Sequence, residues 1–492
     1  MPHLPARASF KVANGVVLAA LMLPACYSMR PSSGGGQIRP VGGRVVTPAD
    51  VIVPSGYRVE SVARGLTFPT GVAFDNDGQP IIVESGYSYG EAWTTPRLIR
   101  IAADGTEQVI ATGGRNGPWT GVAYGNGAFY VAEGGELEGG RILRISPQGE
   151  ITILVRDLPS FGDHHTDGPV IGPDGAIYFG QGTATNSGVV GLDNLLFGWL
   201  RRKPQFHDTP CADVTLAGKN FDSDDPVNGT SRQKAMTGAY VAFNTRTQPG
   251  QVIKGQVPCN GAVMKVASTG GAPQLVAWGF RNPFGLAFGP DGQLWVTDNS
   301  YDERGSRPVW GTGDLLIAVK PGTWYGWPDF HGDHPLPEDA HDPPGGPRPQ
   351  FVLQNHPGKP PRPDAIFGVH ASADGLDVAR TDAFGYAGEI FVALFGDMAP
   401  TAGKTLHPVG FKVVRVNGRT GVIHDFAVNR GKANGPASRV RTGGLERPVA
   451  VRFSPDGSAL YVVDFGVLLV TEKGAEPQRA SGVLWKITRR AP

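Results

Sequence analysis

The sequence predicts an all-β protein, a six-bladed β-propeller with one long inserted segment. Two observations support this prediction, the composition and an internal repeat. The 492 residues include 71 glycines and 43 prolines, and only 18% of them are charged. Such a composition is typical of turn-rich β structure, and with 40% hydrophobic residues the chain is too apolar to be disordered.

The repeat consists of apolar residues, a turn containing Asp-Gly or a relative of it, and an alternating apolar strand. Asp-Gly provides the positive backbone dihedrals of a tight hairpin turn, and strand side chains alternate with period two. Repetition of such hairpins about a centre protects sheet edges. Gly482–Ile487 is expected to close the ring against Tyr57–Glu60. The six copies are Phe74–Glu84, Tyr124–Glu133, Gly172–Gly180, Gly289–Asp298, Tyr386–Ala393 and Ser454–Asp464.

The third and fourth copies lie far apart, which predicts an insertion over about residues 188–260. This segment contains Cys211 and Cys259. An oxidising compartment would permit them to form a disulfide, and two buried free thiols are the alternative. For the insertion itself, a cap over an entrance and a passive surface elaboration both remain open.

The N-terminus predicts export. Arg7 and Lys11 precede a short apolar stretch that ends in a lipobox-like sequence at Cys26. Residues 1–26 are therefore interpreted as a lipoprotein-type signal peptide, with an ordinary signal peptide as the alternative. Residues 27–50 form a flexible tether and residues 51–492 the propeller. We expect a periplasmic or outer-membrane-anchored lipoprotein that meets the membrane only through its lipid.

The formal net charge of +1 gives no reason to expect a nucleic-acid partner. The oligomeric state stays open.

Three segments carry more than fold information. Asp163–Gly168 leads into the third hairpin turn, and Trp278–Leu286 leads into the fourth. Gly313-Asp314 is followed by Pro321–Pro328, which contains Tyr-Gly-Trp-Pro. In this order and spacing they resemble the soluble dehydrogenases of the glucose/sorbosone family, which depend on pyrroloquinoline quinone (PQQ). The resemblance covers about residues 55–490 outside the insertion.

The resemblance implies oxidation of a sugar hydroxyl, with hydride transfer to PQQ, assistance by Ca²⁺ and an external electron acceptor. Histidine is the natural base near neutral pH, a carboxylate can orient it, and arginines suit a tricarboxylate cofactor. The resemblance implies that His164, or alternatively His165, is the general base and that Asp314 is its acidic partner. It implies cofactor contacts for Arg281, Asn282, Arg447 and either Lys404 or Lys412. The backbone carbonyls of Ser300 and Tyr301 would bind calcium.

The sequence also departs from the family pattern. Val449 occupies the position of a second cofactor-binding arginine, and Leu315 replaces a usual glutamate. Two rival functions therefore stay open, because fold does not determine function. One is a lactonase-type hydrolase, whose divalent ion would need several carboxylates, with candidates Asp298, Asp302, Asp314 and Asp464. The other is a carbohydrate- or protein-binding module.

Overall fold

The structure is a computed structural model that describes residues 42–88, 92–196, 198–225, 234–343, 347–471 and 474–490. The predicted signal peptide, Cys26 and the first part of the predicted tether lie outside the described residues.

Strands make up most of the regular structure. The first half of the chain contains β1 (Val51–Ile52), β2 (Tyr57–Leu66), β3 (Pro69–Phe74), β4 (Pro80–Glu84), β5 (Tyr87–Ser88), β6 (Ala92–Trp93), β7 (Arg97–Ile101), β8 (Glu107–Thr112), β9 (Trp119–Gly125), β10 (Ala128–Glu133), β11 (Gly140–Ile145), β12 (Ile151–Leu158), β13 (Thr166–Ile171), β14 (Ile177–Gln181), β15 (Val214–Ala217), β16 (Asn220–Asp224), β17 (Lys234–Gly238) and β18 (Pro249–Ile253). The second half contains β19 (Ala262–Val266), β20 (Gln274–Trp278), β21 (Pro283–Phe288), β22 (Leu294–Asp298), β23 (Gly313–Ala318), β24 (Phe330–His331), β25 (His334–Pro335), β26 (Ala365–Val369), β27 (Ala373–Val378), β28 (Ile390–Leu394), β29 (Lys412–Val416), β30 (Ile423–Asn429), β31 (Pro448–Phe453), β32 (Ala459–Asp464), β33 (Leu468–Thr471), β34 (Gly474–Pro477) and β35 (Gly482–Arg489). Short helices span Leu192–Leu196, Trp199–Arg202 and Ala437–Val440, and 3-10 turns span Pro48–Asp50 and Asp339–His341.

Six antiparallel sheets form the blades of a propeller. Their strand orders are β3-β4-β7-β8, β9-β10-β11-β12, β13-β14-β19-β20, β21-β22-β23-β26, β27-β28-β29-β30-β1 and β31-β32-β35-β2. The innermost strands β3, β9, β13, β21, β27 and β31 contact one another in a closed ring. This confirms the predicted six-bladed propeller. Each predicted repeat is the hairpin between the first and second strand of a blade.

The ring closes between the two ends of the described chain. β2 pairs antiparallel with β35, from Tyr57 opposite Arg489 to Leu66 opposite Gly482. The predicted closure is confirmed, and it runs further along β2 than expected. Trp485, on β35, is fully buried in the core between blades. The last blade is therefore completed by a strand from the opposite end of the chain, which joins both ends into one sheet.

Close approach of the inner strands explains a ring of small residues. The third residue of each inner strand is Gly71, Gly121, Gly168, Gly285, Gly375 or, in the last blade, Ala450. A Cβ on Gly71 would lie 3.1 Å from Gly121 Cα, and a Cβ on Gly121 would overlap the Gly168 carbonyl oxygen. The inner strands thus converge around the propeller axis to backbone contact, which larger side chains would prevent.

Residues 182–261 lie between the adjacent blade strands β14 and β19. Within this segment β15 pairs with β18 and β16 with β17. Cys211 and Cys259 form a disulfide with an S–S distance of 2.09 Å. A bridge between Leu216 and Leu353 attaches the segment to the long connection of the fourth blade. In the described part of the chain, no helix is long and apolar enough to cross a membrane.

Candidate active site

A cavity of about 340 Å³ opens where the loops before the inner strands meet on the propeller axis. The second residue of every inner strand lines it. These residues are Thr70, Thr120, Asp167, Phe284, Asp374 and Val449. Most of the sequence-predicted site residues line the same cavity, namely His164, His165, Arg281, Asn282, Ser300, Tyr301 and Asp314. The fold thus gathers residues that are up to 150 positions apart in the chain (His164 to Asp314).

His164 is held by its Nδ1 atom. This atom lies 3.0 Å from the Thr183 carbonyl oxygen and 3.4 Å from Thr183 Oγ1. Since a carbonyl only accepts, Nδ1 carries the hydrogen and the lone pair stands on Nε2. Burial, and then the positive charges of Arg281 and Arg304, hold the pKa of His164 well below 6.5. The imidazole is therefore neutral near neutral pH and can accept a proton at Nε2.

His165 lines the cavity on the side of Glu136 and Arg202. Burial lowers its pKa as well, although the negative charge of Glu136 acts in the opposite direction. Both histidines of the pair therefore reach the cavity. Both rings bond to a backbone carbonyl, His164 to that of Thr183 and His165 to that of Ser160. His164 is the one on which the charge of Arg281 acts, and this favours it as the base.

The expected pairing of Asp314 with the base is not seen. Asp314 accepts the backbone N–H groups of Ser300 and Ala373, both at 2.9 Å, and no hydrogen bond joins it to His164. Its two oxygens tie the loop after β22 to the start of β27, so this carboxylate positions two blades. The reason is local, because buried N–H groups at two strand ends need an acceptor.

Asp302 is the carboxylate whose charge acts on His164, where it raises the pKa against the effect of burial. Burial alone would raise the pKa of Asp302 itself, but Arg281 and Arg304 lower it to about 2. Asp302 is therefore ionised and forms ion pairs of 2.7 Å with Arg281 and 3.0 Å with Arg304. The sequence interpretation had considered Asp302 only as a candidate metal ligand.

Arg281 is 3% exposed, and its guanidinium points at three acceptors. Nη2 pairs with Asp302, Nε donates to the Asn186 carbonyl at 3.2 Å, and Nη1 donates to the Asn299 carbonyl at 3.3 Å. The backbone N–H of Arg281 donates to Asp298, and burial raises the pKa of that acid to about 7. The guanidinium is thereby fixed in the wall close to His164, where its charge depresses the histidine pKa.

Asn282 stands beside Arg281 in an amide chain. Its Nδ2 donates to Asn299 Oδ1 at 2.9 Å, and Asn299 Nδ2 donates to the Ala373 carbonyl at 2.9 Å. The carbonyl at the end of the chain sets the orientation of both amides. Asn282 Oδ1 is left buried without a hydrogen-bond partner among the described residues.

Ser300 and Tyr301, the predicted calcium positions, line the cavity. The Tyr301 carbonyl accepts a hydrogen bond of 2.9 Å from Thr312 Oγ1, which leaves one of its lone pairs. Across the described ranges, no group of three or more His, Cys, Asp or Glu side chains is placed to hold a metal ion. A cation at this position would depend on backbone carbonyls.

Arg447 does not line the cavity. Its side chain is fully buried, and Nη1 donates to the carbonyls of Gly396 at 2.9 Å and Asp397 at 3.2 Å. The guanidinium also packs over the rings of Phe395 and Phe411. These contacts hold the chain after β28, because buried carbonyls there need donors, and the contact of Arg447 with a cofactor carboxylate stays a prediction.

Lys404 and Lys412 are also outside the set of lining residues. The Lys404 backbone N–H donates to Glu303, and Lys412 pairs with Asp425 at 2.6 Å. Val449, which replaces the second arginine, does line the cavity.

Three basic residues in the cavity wall were missed by the sequence interpretation. Arg304 pairs with Asp163 at 2.8 Å and with Asp193 at 2.7 Å. Arg202, from the inserted segment, pairs with Glu136 and lies over the Trp199 ring. For the third, His370, burial would lower the pKa, but nearby carboxylates, Glu303 foremost, raise it. Their sequence contexts carry no motif, so only the fold brings them together.

Asp167 and Asp374 were missed as well, although a signal existed. The inner-strand copies read Thr-Gly, Thr-Gly, Asp-Gly, Phe-Gly, Asp-Gly and Val-Ala at the second and third positions. Alignment of these six copies would have marked the second position as the one that faces the axis.

No family profile and no curated protein matches the chain. Solved structures do. The apo soluble aldose sugar dehydrogenase of Escherichia coli is 14% identical and has a TM-score of 0.50, covering 88% of this chain and 100% of the other. A calcium structure of a family AA12 carbohydrate-active enzyme from Trichoderma reesei is 15% identical with a TM-score of 0.51, covering 90% and 98%. A PQQ-bound aldose sugar dehydrogenase from Streptomyces coelicolor is 16% identical with a TM-score of 0.49, covering 89% and 99%.

The chain shares its fold with the soluble sugar dehydrogenases. At these identities the likeness concerns the propeller, and the chemistry has to be argued from the cavity.

Proposed function

We propose that this protein is a PQQ-dependent sugar dehydrogenase that oxidises a hydroxyl group of an aldose or a related sugar. The observation that carries the proposal is a neutral histidine in an axial cavity. His164 has its Nε2 lone pair available, while Arg281 fixes a positive charge in the same wall. Oxidation of a hydroxyl removes a proton from oxygen and a hydride from carbon. His164 can accept the proton, and Arg281 can stabilise the negative charge that develops.

His164 would take the hydroxyl proton at Nε2. The Thr183 carbonyl keeps the hydrogen on Nδ1, so the ring accepts at the correct atom. The imidazolium that results is stabilised by the ionised Asp302, whose charge already raises the histidine pKa. Arg281 would stabilise negative charge beside the reacting carbon, which is the role that a fixed guanidinium serves best.

PQQ, when bound, supplies an electrophilic quinone carbonyl as hydride acceptor. It is a planar tricarboxylate, so its site needs room and positive charge. The cavity provides both, since Arg202, Arg281, Arg304 and His370 all line it. Arg202 and His370 would hold carboxylates here, in place of Arg447 and Lys404.

Calcium is proposed at the backbone carbonyls of Ser300 and Tyr301, because Ca²⁺ accepts carbonyl ligands. A calcium structure of the Trichoderma reesei enzyme, which has the same fold, supports the presence of a calcium ion but not its position. An electron acceptor outside the chain would reoxidise the cofactor.

Export and lipid anchoring at Cys26 are proposed together with this activity. The Cys211–Cys259 disulfide supports an oxidising compartment. Fractionation of cells that produce the wild type and Cys26→Ala tests the anchor. We expect the wild type in the membrane fraction and the variant in the soluble periplasmic fraction, and equal distribution of the two would contradict it.

The lactonase-type alternative has less support. Three of its four candidate carboxylates accept backbone N–H groups, namely Asp298, Asp314 and Asp464. The fourth, Asp302, is paired with arginines. They do not converge on a common point that could hold a divalent ion among the described residues.

The test is a titration of metal-free protein with PQQ, with and without Ca²⁺, following dye reduction over a panel of aldoses. We expect saturable, Ca²⁺-dependent turnover. His164→Asn should lower kcat by about 10²–10⁴-fold, while Tm changes little. His165→Asn is the matched control and should keep most of the activity. Full activity in His164→Asn would reject the proposed base, and no PQQ binding would favour a recognition role.

A further inference from the structure

The six residues at the second position of the inner strands form a ring around the cavity. Four of them have little to offer a ligand, because two are apolar and two already donate their hydroxyl hydrogen to a backbone carbonyl. Phe284 and Val449 are apolar. Thr70 donates its hydroxyl hydrogen to the Trp119 carbonyl at 2.7 Å, and Thr120 donates its own to the Thr166 carbonyl at 2.8 Å. Each threonine therefore bonds to the first residue of the next inner strand.

Asp167 is different from the threonines at equivalent positions. It is 3% exposed, and its Oδ2 atom is buried without a hydrogen-bond partner among the residues described. A carboxylate cannot donate to the next strand as threonine does, so its oxygens stay available on the cavity side. An isolated buried carboxylate costs several kcal/mol in order of magnitude, so its presence needs a reason.

Two further acceptors line the same cavity. Asp374, in the equivalent position two blades away, is 5% exposed and accepts hydrogen bonds from Ser372, at 3.0 Å, and from the Asn299 side chain. Asn282 presents the partnerless Oδ1 atom described above and is 7% exposed. Together with Nε2 of His164, these groups offer lone pairs, so a complementary ligand must bring hydrogen-bond donors.

The electrostatics of Asp167 and Asp374 also favour a ligand that brings hydrogen-bond donors. Burial, and then the charge of Asp374, raise the pKa of Asp167 well above its usual value. Burial also raises the pKa of Asp374. A ligand that donates hydroxyl hydrogens or carries an ammonium group would relieve both penalties, whereas a carboxylate on the ligand would add to them.

We propose that Asp167, with Asp374 and Asn282, forms the part of the substrate site that accepts hydrogen bonds from the sugar, and that it selects neutral and amino sugars against sugar acids. This inference rests on the proposed function for its substrate class. It assigns specificity to Asp167 and Asp374, for which the resemblance implies no role.

Binding is measured by calorimetry on the whole protein without dye, using D-glucose, D-glucosamine and D-glucuronate as probes near neutral pH. We expect D-glucuronate to bind about tenfold or more weakly than the other two. Asp167→Asn and Asp374→Asn should each weaken D-glucosamine binding by about tenfold and reduce the discrimination. The matched control is Asp174→Asn, an exposed hairpin aspartate that pairs with Lys265, and it should bind like the wild type.

Equal binding of D-glucuronate, unchanged discrimination in Asp167→Asn and Asp374→Asn, or no binding of any probe would each overturn the inference. The assay separates this inference from the proposed function. A protein that discriminates through Asp167 but does not reduce dye with PQQ would reject the dehydrogenase and keep the acidic site. Dye reduction with unchanged discrimination in the variants would support the dehydrogenase and reject the acidic site.

Discussion

Single residues decide how the cavity can react, and His164 illustrates this. Its neighbours matter more than its identity, because burial and the charges of Arg281 and Arg304 set its protonation state. The neighbouring His165 has the same identity without the Thr183 contact. The resemblance pointed to the pair through its spacing to the hairpin turn, and the position of His164 beside Arg281 then distinguishes the two.

The depressed pKa of His164 gives a pH prediction. A base must be unprotonated, and a pKa below 6.5 keeps it so at lower pH than an ordinary histidine. We expect kcat/KM for dye reduction to be constant near neutral pH and to fall only as the pH drops below 6.5. A pH series of kcat/KM measures it, and an acid limb centred above pH 6.5 would contradict the assignment.

For Arg447 we predict an effect on stability and not on activity. Because its guanidinium donates to buried carbonyls at residues 396 and 397, Arg447→Met should cost about 3 kcal/mol of unfolding free energy. Affinity for PQQ in the protein that remains folded should change little. Urea unfolding and cofactor titration measure the two effects. A large loss of PQQ affinity at unchanged stability would restore the cofactor role that the resemblance implied.

At the scale of elements, the inner strand is the repeated unit that builds the site. Its second residue faces the cavity, its third lets the strands converge, and the turn that follows carries the sequence repeat. The hairpin turns were predictable because Asp-Gly has a strong local preference. The direction of the second residue has no such local signal and is indicated only when the six copies are aligned, since it depends on how six strands are arranged about one axis.

The equivalence of the inner strands can be tested by exchanging their residues. In Asp167→Thr the new hydroxyl should bond to the first residue of the next inner strand, Pro283, as Thr70 and Thr120 do in their blades. Loss of a buried carboxylate and gain of this bond should stabilise the protein by about 1 kcal/mol. Thermal unfolding near neutral pH measures this. A lower Tm would show that Asp167 has a structural partner instead.

The whole molecule depends on closure of the ring. β2 and β35 join the two ends, and the glycine ring allows the six inner strands to meet at the axis. Such closure is long-range, because residues far apart in the chain must pair before the last blade exists.

This closure predicts the result of a glycine substitution. Gly121→Ala places a Cβ against the Gly168 carbonyl, so the inner strands of two blades must separate. We expect a loss of about 1–3 kcal/mol. Gly114→Ala is the control, since a Cβ there meets nothing within 4 Å. Denaturant unfolding of both variants decides the matter, and equal stability would mean that the axis is less tightly packed than the structure indicates.

Sequence alone determined the fold class, the number of blades, the closing strands and the loops that supply His164, Arg281 and Asn282. These features depend on local turn preference, strand alternation and short motifs, all of which act over a few neighbouring residues. The tertiary structure alone decided that Asp314 and Arg447 hold backbone groups, and that Arg202, Arg304 and His370 line the cavity. It also placed Asp167 and Asp374 around the axis, a position that the sequence indicates only when the six repeat copies are aligned. Burial, ion pairing and convergence on an axis arise between distant segments, so they have no local pattern from which a sequence could reveal them.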